Sequence, residues 1–511
     1  MRRLHPLQIL STAALIAGYA LLALWAISTL SWAMGRDQGV FAWVGDVVAH
    51  GGLPYRDAWE QKGPATHLQF AATQLLLGRN QWGLRLVDLL LLSASLLALG
   101  RLTGRVAGRW AAWWAPLFWG LAYAQSGYWQ TAQPDGWAAM LATIAAALLF
   151  GGGRRLLPRA ALAGLLVGWA ALYKFPLLYL LIPALLPCLW WTPTGEPARR
   201  RSAAWLYLGA GVLPTVAVAG WLGMRGGLPA AAEILLQFNP HAHGTVPGFQ
   251  PLSAAGAYLL SHAYLIGLAL FGGLWLTHPA AARYRPALGA WLLGGVVLLV
   301  VQNKYWEYHW WLLLPPLALL GAAGLASSGP AQRWRGSGAA VLGAIVVAGL
   351  AAPAVVYQVQ AWAPTVTGRV SRAAFEHRFT NRQAFSYSNN REVARYLQAH
   401  TGPEEYVLVW GFEPQIYYLA DRRCPTRFGF DYPLYAAAER DPALGAKWQG
   451  EFLRDLNAHP PTYLVVADND QNDLLPLTSR ALWESRPELV AFREGYRAEV
   501  ALGIFTLWRR R

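Results

Sequence analysis

The sequence predicts a polytopic bundle of membrane-spanning helices followed by a soluble α/β domain. Three observations predict it. The 511 residues are 55% hydrophobic and only 14% charged, where a soluble globular chain carries about 25% charged residues. Long apolar runs alternate with short arginine clusters. From about residue 360 the composition turns polar, with strand-like and helix-like runs in alternation.

A span needs about 20 mostly apolar residues. Runs of that kind lie near 9–32, 84–103, 108–126, 134–152, 160–176, 177–193, 203–224, 254–277, 286–302, 308–327 and 338–359. The fifth and sixth share one run, split at Lys174-Phe175-Pro176, where proline disfavours a continuous helix. The first run, 7–35, carries a single charge-free stretch up to Gly35. It is too long for a cleaved signal peptide and reads as a retained anchor.

Charge placement orients the bundle. With the N-terminus inside, the cytoplasmic segments hold Arg2 and Arg3; Arg101, Arg105 and Arg109; Arg154, Arg155 and Arg159; Arg199, Arg200 and Arg201; Arg283 and Arg285; Arg333 and Arg335. The short outer loops after the first hold Lys174, Arg225 and Lys304. This is the positive-inside bias, repeated along the chain. The net charge of +15 is thereby a topology signal, and a nucleic-acid partner is not expected. The 27 Trp and 22 Tyr suit interfacial belts and packing. Cys188 and Cys424 form no disulfide framework. Two regions result: 1–359, the membrane region with a long first outer loop at 33–83, and 360–511, an extracytoplasmic α/β domain. In that domain strands are expected at 406–410, 463–467 and 500–508, with a helix at 390–400.

The first outer loop is rich in charge where the rest of the chain avoids it. It reads Gly35-Arg36-Asp37-Gln38-Gly39, then Gly51-Gly52-Leu53-Pro54-Tyr55-Arg56-Asp57, then Glu60-Gln61-Lys62-Gly63-Pro64. Apolar stretches at 41–48 and 66–77 are too short to span and suit helices lying on a membrane surface. Asp37 closes the first span. A carboxylate at a partly dehydrated interface is more basic than one in water, which suits a general base; a solvated loop residue or helix cap explains it equally. Lys62 and Arg56 are donors for a phosphate, the one a point charge and the other a bidentate fork. Asp57 and Glu60 could orient those cations, bond a sugar hydroxyl or hold a divalent cation.

Further along, Asp135 starts the fourth span on the same side, either as a first-turn residue favoured by the helix dipole or as a second carboxylate of the site. Arg85 and Asp88, three apart, form a local ion pair or leave Arg85 for phosphate. Lys304-Tyr305-Trp306-Glu307-Tyr308-His309 carries more charge than interfacial anchoring needs; Lys304 and His309 could meet a phosphate. His241 and His243 flank one alanine, a weak metal pair whose spacing is not a zinc pattern. No Walker loop, nucleotide-binding glycine fingerprint, GxSxG or CxxC pair occurs, which favours a lipid-phosphate sugar donor over a nucleotide sugar.

The first-loop motif resembles the first periplasmic loop of the C-type (GT-C) membrane glycosyltransferases. It is most similar to the bacterial branch related to protein O-mannosyltransferases and the lipid A aminoarabinose transferase, families 39 and 83. Lys304 to Pro315 resembles the family's late loop and the helix that follows it (His309 to Pro315), and 406–418 resembles the outer tail of many bacterial members. The resemblance implies a multi-pass protein of the bacterial cytoplasmic membrane. It implies inverting transfer of a sugar from a polyprenyl-phosphate donor to an acceptor hydroxyl on the outer face. The acceptor would be a glycolipid, a cell-wall polymer or a protein. Asp37 matches the family's general base and Asp135 its second acidic position. Lys62 matches the lysine of a Lys-Pro-Pro-like motif tied to the lipid phosphate, although Gly63 stands where the family has proline. Tyr55, Arg56, Asp57, Glu60, Arg85, Lys304 and His309 complete the expected substrate-binding set. The resemblance fixes no cofactor and leaves dependence on a divalent metal ion undecided, with Glu60, His241 and His243 as weak ligands for one. The rival reading is a transporter or lipid-linked sugar flippase, for which Lys174-Phe175-Pro176 is the one supporting feature.

Overall fold

The structure, a computed structural model, describes residues 6–150, 155–191, 197–242, 250–327, 338–381, 384–470 and 475–511. Arg2, Arg3, Arg154, Arg333, Arg335 and His243 lie outside them. The described parts of the segments expected to span are largely helical. Among the described residues, five helices are long and apolar enough to cross a membrane alone: Pro6–Thr29, Trp82–Ala107, Pro197–Met224, Arg285–Gln302 and Gly338–Val366. Shorter apolar helices, among them Pro134–Leu149, Leu156–Ala171 and Leu314–Ser327, fill most of the remaining expected positions.

Two expected spans differ in detail. The segment expected at 254–277 is a bent pair, Pro251–Ser261 and Ala263–Thr277, meeting at 85°. At the break, His262 Nδ1 lies 3.0 Å from the Tyr258 carbonyl and 2.8 Å from Ser261 Oγ. Local side-chain bonds of this kind compete with the helical ladder. The segment at 177–193 is a succession of short turns, Leu177–Leu180, Leu181–Leu185 and Leu186–Trp191. Pro176, Pro183 and Pro187 each remove a backbone donor there.

The chain divides into two compact units. The first comprises Met1–Ser31, Leu84–Val218 and Gln250–Val366. It is a helical bundle in which Pro6–Thr29 packs on Arg109–Gln125 and Gly338–Val366. Helices Ala263–Thr277 and Leu314–Ser327 approach so closely that a Cβ on Gly324 would stand 2.0 Å from the Phe271 carbonyl oxygen, the small-residue packing that membrane helices use. Loops of the same predicted side meet at the same end. Lys174 reaches Asp135 and Gln302, and Arg85 reaches Tyr128 and Thr131. At the opposite end, the Tyr284 hydroxyl donates to the Arg105 carbonyl at 3.4 Å.

The second unit comprises Trp32–Gly83, Ala219–Phe249 and Thr367–Arg511. The first outer loop, grouped by sequence with the membrane region, thus folds with the C-terminal segment. Its core is a four-stranded sheet of β1 (Val407–Trp410), β2 (Tyr463–Ala467), β3 (Tyr496–Leu502) and β4 (Phe505–Arg510) in the order β1-β2-β4-β3. β1 and β2 are parallel, and the other pairings are antiparallel. The run expected as one strand at 500–508 is the turn of a hairpin, reversing at Gly503 with φ +57, a conformation glycine adopts without strain. Helix Tyr387–His400 covers the expected 390–400. The apolar stretches of the first loop become helices Arg36–Ala49 and Pro64–Leu77, packed against each other.

Candidate active site

Helix Arg36–Ala49 begins after Gly35, whose N–H donates to Gln38 Oε1 at 3.0 Å. From residue 32 to 45 every residue is buried except Asp37, which is half-buried. Its carboxylate has no hydrogen-bond or ion-pair partner among the described residues. The first turn of a helix favours such a negative charge. The turn is held from elsewhere in the unit. Arg36 Nε and Nη2 donate to Glu413 Oε1 at 3.0 and 2.9 Å, and the Gln415 amide donates to the Met34 carbonyl at 3.1 Å.

The loop 55–62 faces this helix start. Tyr55 is fully buried and takes φ +71, a strained conformation for a side-chain-bearing residue costing about 1–3 kcal/mol. Its hydroxyl donates to the Lys62 carbonyl at 2.8 Å, closing the loop on itself. Arg427 clamps the same loop, donating to the Tyr55 carbonyl at 3.2 Å and accepting from Trp59 N–H at 2.7 Å through its own carbonyl. The Asn239 amide donates to the Gln61 carbonyl at 2.9 Å. Trp59 sits edge-on among Phe238, Phe430, Tyr432 and Trp448. Arg427 itself is paired with Glu233 at 3.0 Å and Glu451 at 2.7 Å.

Glu60 is buried, and its carboxylate accepts from the Lys62 N–H. Burial pushes its pKa up to about 7; the Lys62 charge opposes the rise and the Asp37 charge adds to it. Asp37, Glu60 and Lys62 therefore share one electrostatic neighbourhood. The Lys62 ammonium, like Asp37, has no side-chain partner among the described residues. His67 Nε2 lies 3.6 Å from Glu60 Oε2. Burial lowers His67 to about 3, so this is a neutral imidazole beside a carboxyl rather than an ion pair. Arg56 stands apart from the cluster: it makes a two-pronged pair with Asp57, at 2.9 and 2.7 Å, and donates to the Arg225 carbonyl at 2.7 Å.

The remaining expected residues belong to the helical unit. Asp135, fully buried in the first turn of Pro134–Leu149, has Lys174 Nζ 2.8 Å from each of its oxygens. Lys174 also donates to Gln302 Oε1 at 2.6 Å and stands 5.3 Å over the Tyr308 ring. Asp135 and the 304–309 loop are thus brought together through Lys174. Lys304 lies 5.0 Å over the Trp306 ring, and His309 is buried edge-on to Tyr308. Arg85 donates to Thr131 Oγ1 at 3.1 Å and to the Tyr128 carbonyl at 3.3 Å. Asp88 accepts from Tyr123 at 2.7 Å and Trp137 at 2.9 Å.

Glu60 and His67 are two ligand-type groups that meet, as His50 and Asp46 do at 3.5 Å. No cluster of three or more His, Cys, Asp or Glu able to hold a metal forms among the described residues. Sequence reasoning passed over His67, hidden in an apolar stretch, and left Lys174 without a role beside Asp135. It quoted Arg36 without a partner, since Glu413 lies 377 residues away.

The solved structure of ArnT from Cupriavidus metallidurans bound to undecaprenyl phosphate matches with a TM-score of 0.60, covering 97% of this chain and 97% of that one at 15% identity. The chain has the GT-C fold. The apo state of the same ArnT matches this chain equally, with a TM-score of 0.60, 15% identity and coverage of 97% and 98%. Residues 61–221 match the family model of dolichyl-phosphate-mannose-protein mannosyltransferase. That segment of the GT-C fold starts one residue before Lys62 and includes Asp135 and Lys174; Asp37 lies upstream of it. Comparison with the curated proteins gives no match.

Proposed function

We propose that the chain is a glycosyltransferase that moves a sugar from a polyprenyl phosphate to an acceptor hydroxyl at the outer face of the bacterial cytoplasmic membrane. Asp37 takes the acceptor proton. The acceptor oxygen attacks the anomeric carbon, the bond from that carbon to the phosphate oxygen breaks, and polyprenyl phosphate leaves. One displacement inverts the anomeric centre. Lys62 balances the charge growing on the leaving phosphate, the kind of electrostatic term that commonly dominates catalysis. The reading is carried by a carboxylate, Asp37, and an ammonium, Lys62, that have no side-chain partner among the described residues and that both act on the buried Glu60. The likeness in fold to a protein solved with undecaprenyl phosphate supports the donor class.

Other expected residues take supporting parts in this reading. Arg56, held by Asp57 and the Arg225 carbonyl, keeps the loop in shape. Asp135, paired with Lys174 inside the helical unit, takes the second acidic position of this reading. Arg85, Lys304 and His309, in the helical unit, remain candidates for contact with the lipid phosphate; Arg85 and His309 are buried. The acceptor is a glycolipid, a cell-wall polymer or a protein.

The test is transfer of radiolabel from a panel of polyprenyl-phosphate hexoses and pentoses in membranes containing the chain. Label should reach an acceptor, and Asp37→Asn should cut the rate about 10²–10⁴-fold. An Asp37→Asn variant that turns over at the parent rate would remove the mechanism.

A further inference from the structure

We propose that Glu413, which follows β1, is a positioning residue for Asp37; the inference rests on the catalytic role just assigned to Asp37. Glu413 touches no reacting group. It acts through Arg36, the residue before Asp37.

The geometry is closed on every side. Arg36 and Glu413 are 3% and 2% exposed. Arg36 Nε and Nη2 both donate to Glu413 Oε1. The other oxygen, Oε2, accepts from Asn390 Nδ2 at 2.8 Å, and the same amide reaches Gln415 Oε1 at 3.1 Å. Gln415 then holds the Met34 carbonyl. The Phe385 and Phe412 rings stand 5.7 and 5.4 Å from the guanidinium carbon. The helix start is thereby fixed at two points, the carbonyl of residue 34 and the side chain of residue 36. Successive residues of a helix are about 100° apart around its axis, so fixing Arg36 fixes the direction in which Asp37 leaves the first turn. Gly39, one turn on, lets the helix seat directly on Gln415, because a Cβ there would stand 2.5 Å from Gln415 Cβ.

Stability alone is a poor reason for this arrangement. A buried ion pair is often matched or bettered by apolar residues of the same volume. What it does supply is one orientation, and the residue next to it carries the reactive carboxylate. Placing a catalytic group within a fraction of an ångström is worth large factors in rate, and a 1 Å error costs about 100-fold.

The test uses the full chain in lipid nanodiscs with four variants: Glu413→Gln, Glu413→Asp, Asp37→Asn and the Asp37→Asn/Glu413→Gln double. Glu413→Gln should lower kcat about 10–100-fold, with KM for the polyprenyl-phosphate sugar within about twofold. Glu413→Asp, which keeps the charge, should recover part of kcat. In the Asp37→Asn background, Glu413→Gln should cost nothing further. Hydrogen exchange should quicken at residues 34–40 and stay unchanged at 55–62. A loss carried by KM, a full additive loss in the double variant, or unchanged exchange at 34–40 would each overturn the proposal. If Glu413→Gln does not fold, Gln415→Ala, which leaves the Glu413–Arg36 pair in place and frees the Met34 carbonyl and one bond of the Asn390 amide, is read in the same way. If Asp37→Asn itself turns over normally, the transfer reading fails, while exchange at 34–40 still reports whether Glu413 fixes the turn.

Discussion

Asp431 and Ser479 show how burial writes pH dependence into single residues. The Ser479 hydroxyl lies 2.5 Å from Asp431 Oδ2 and 2.6 Å from Asp470 Oδ2. It has one proton and can donate to only one of them. A protonated Asp431 supplies the second hydrogen. Burial, and then the Asp470 charge, push Asp431 from its ordinary 3.8 up to about 7. The folded state therefore binds this proton more tightly than the unfolded state. Its stabilising effect is complete below about pH 4, is lost as pH rises towards 7, and is constant above. Asp431→Asn carries an N–H in place of that proton at every pH. Its melting temperature should exceed the parent's by about 2–4 °C at pH 8 and match it at pH 4. Lys62 makes a second residue-scale case. An ammonium bonded to a phosphate is worth about 1.5–3 kcal/mol, so Lys62→Ala should weaken equilibrium binding of polyprenyl phosphate about 10–100-fold. Lys62→Arg should recover part of that loss.

The loop 55–62 and helix Arg36–Ala49 are the elements on which the site is built. Trp59 is fully buried and anchors the loop in its aromatic nest. Trp59→Ala should destabilise the unit by about 3–5 kcal/mol, read as a lower melting temperature and faster hydrogen exchange at 55–62. That 41–48 and 66–77 are helical was legible from their length and apolarity; the burial of 41–45 within its unit was not. Most of the strands were legible too, because β-branched and aromatic runs favour a pleated, half-buried surface. The hairpin at Gly503 was not, since Ile504 and Phe505 continue the apolar run across the turn. The bend at His262 was equally hidden: hydropathy counts apolar residues and is blind to a side chain that competes for helical carbonyls.

At the scale of the whole molecule, the membrane bundle was the most legible feature. Its apolar runs are long, and its arginines recur with the period of the loops. The composition of the second unit was not legible. Its decisive contacts join residues hundreds of positions apart, such as Arg36 with Glu413 and Glu233 with Arg427, and a pattern within a short window carries no trace of them. The acids and bases of the first loop could be named from sequence. Which of them are free and which are held could not, because that is decided by Glu413, Asn390, Gln415 and Arg427 from the far end of the chain. Among the described residues, Asp37 and Lys62 have no side-chain partner. The most direct measurement is single-turnover sugar transfer in nanodiscs by the parent and the Asp37→Asn variant, with polyprenyl-phosphate binding measured on the same samples. Binding should be unchanged within about twofold while the transfer rate falls about 10²–10⁴-fold. Equal transfer rates at equal binding would contradict the assignment of Asp37 as the base.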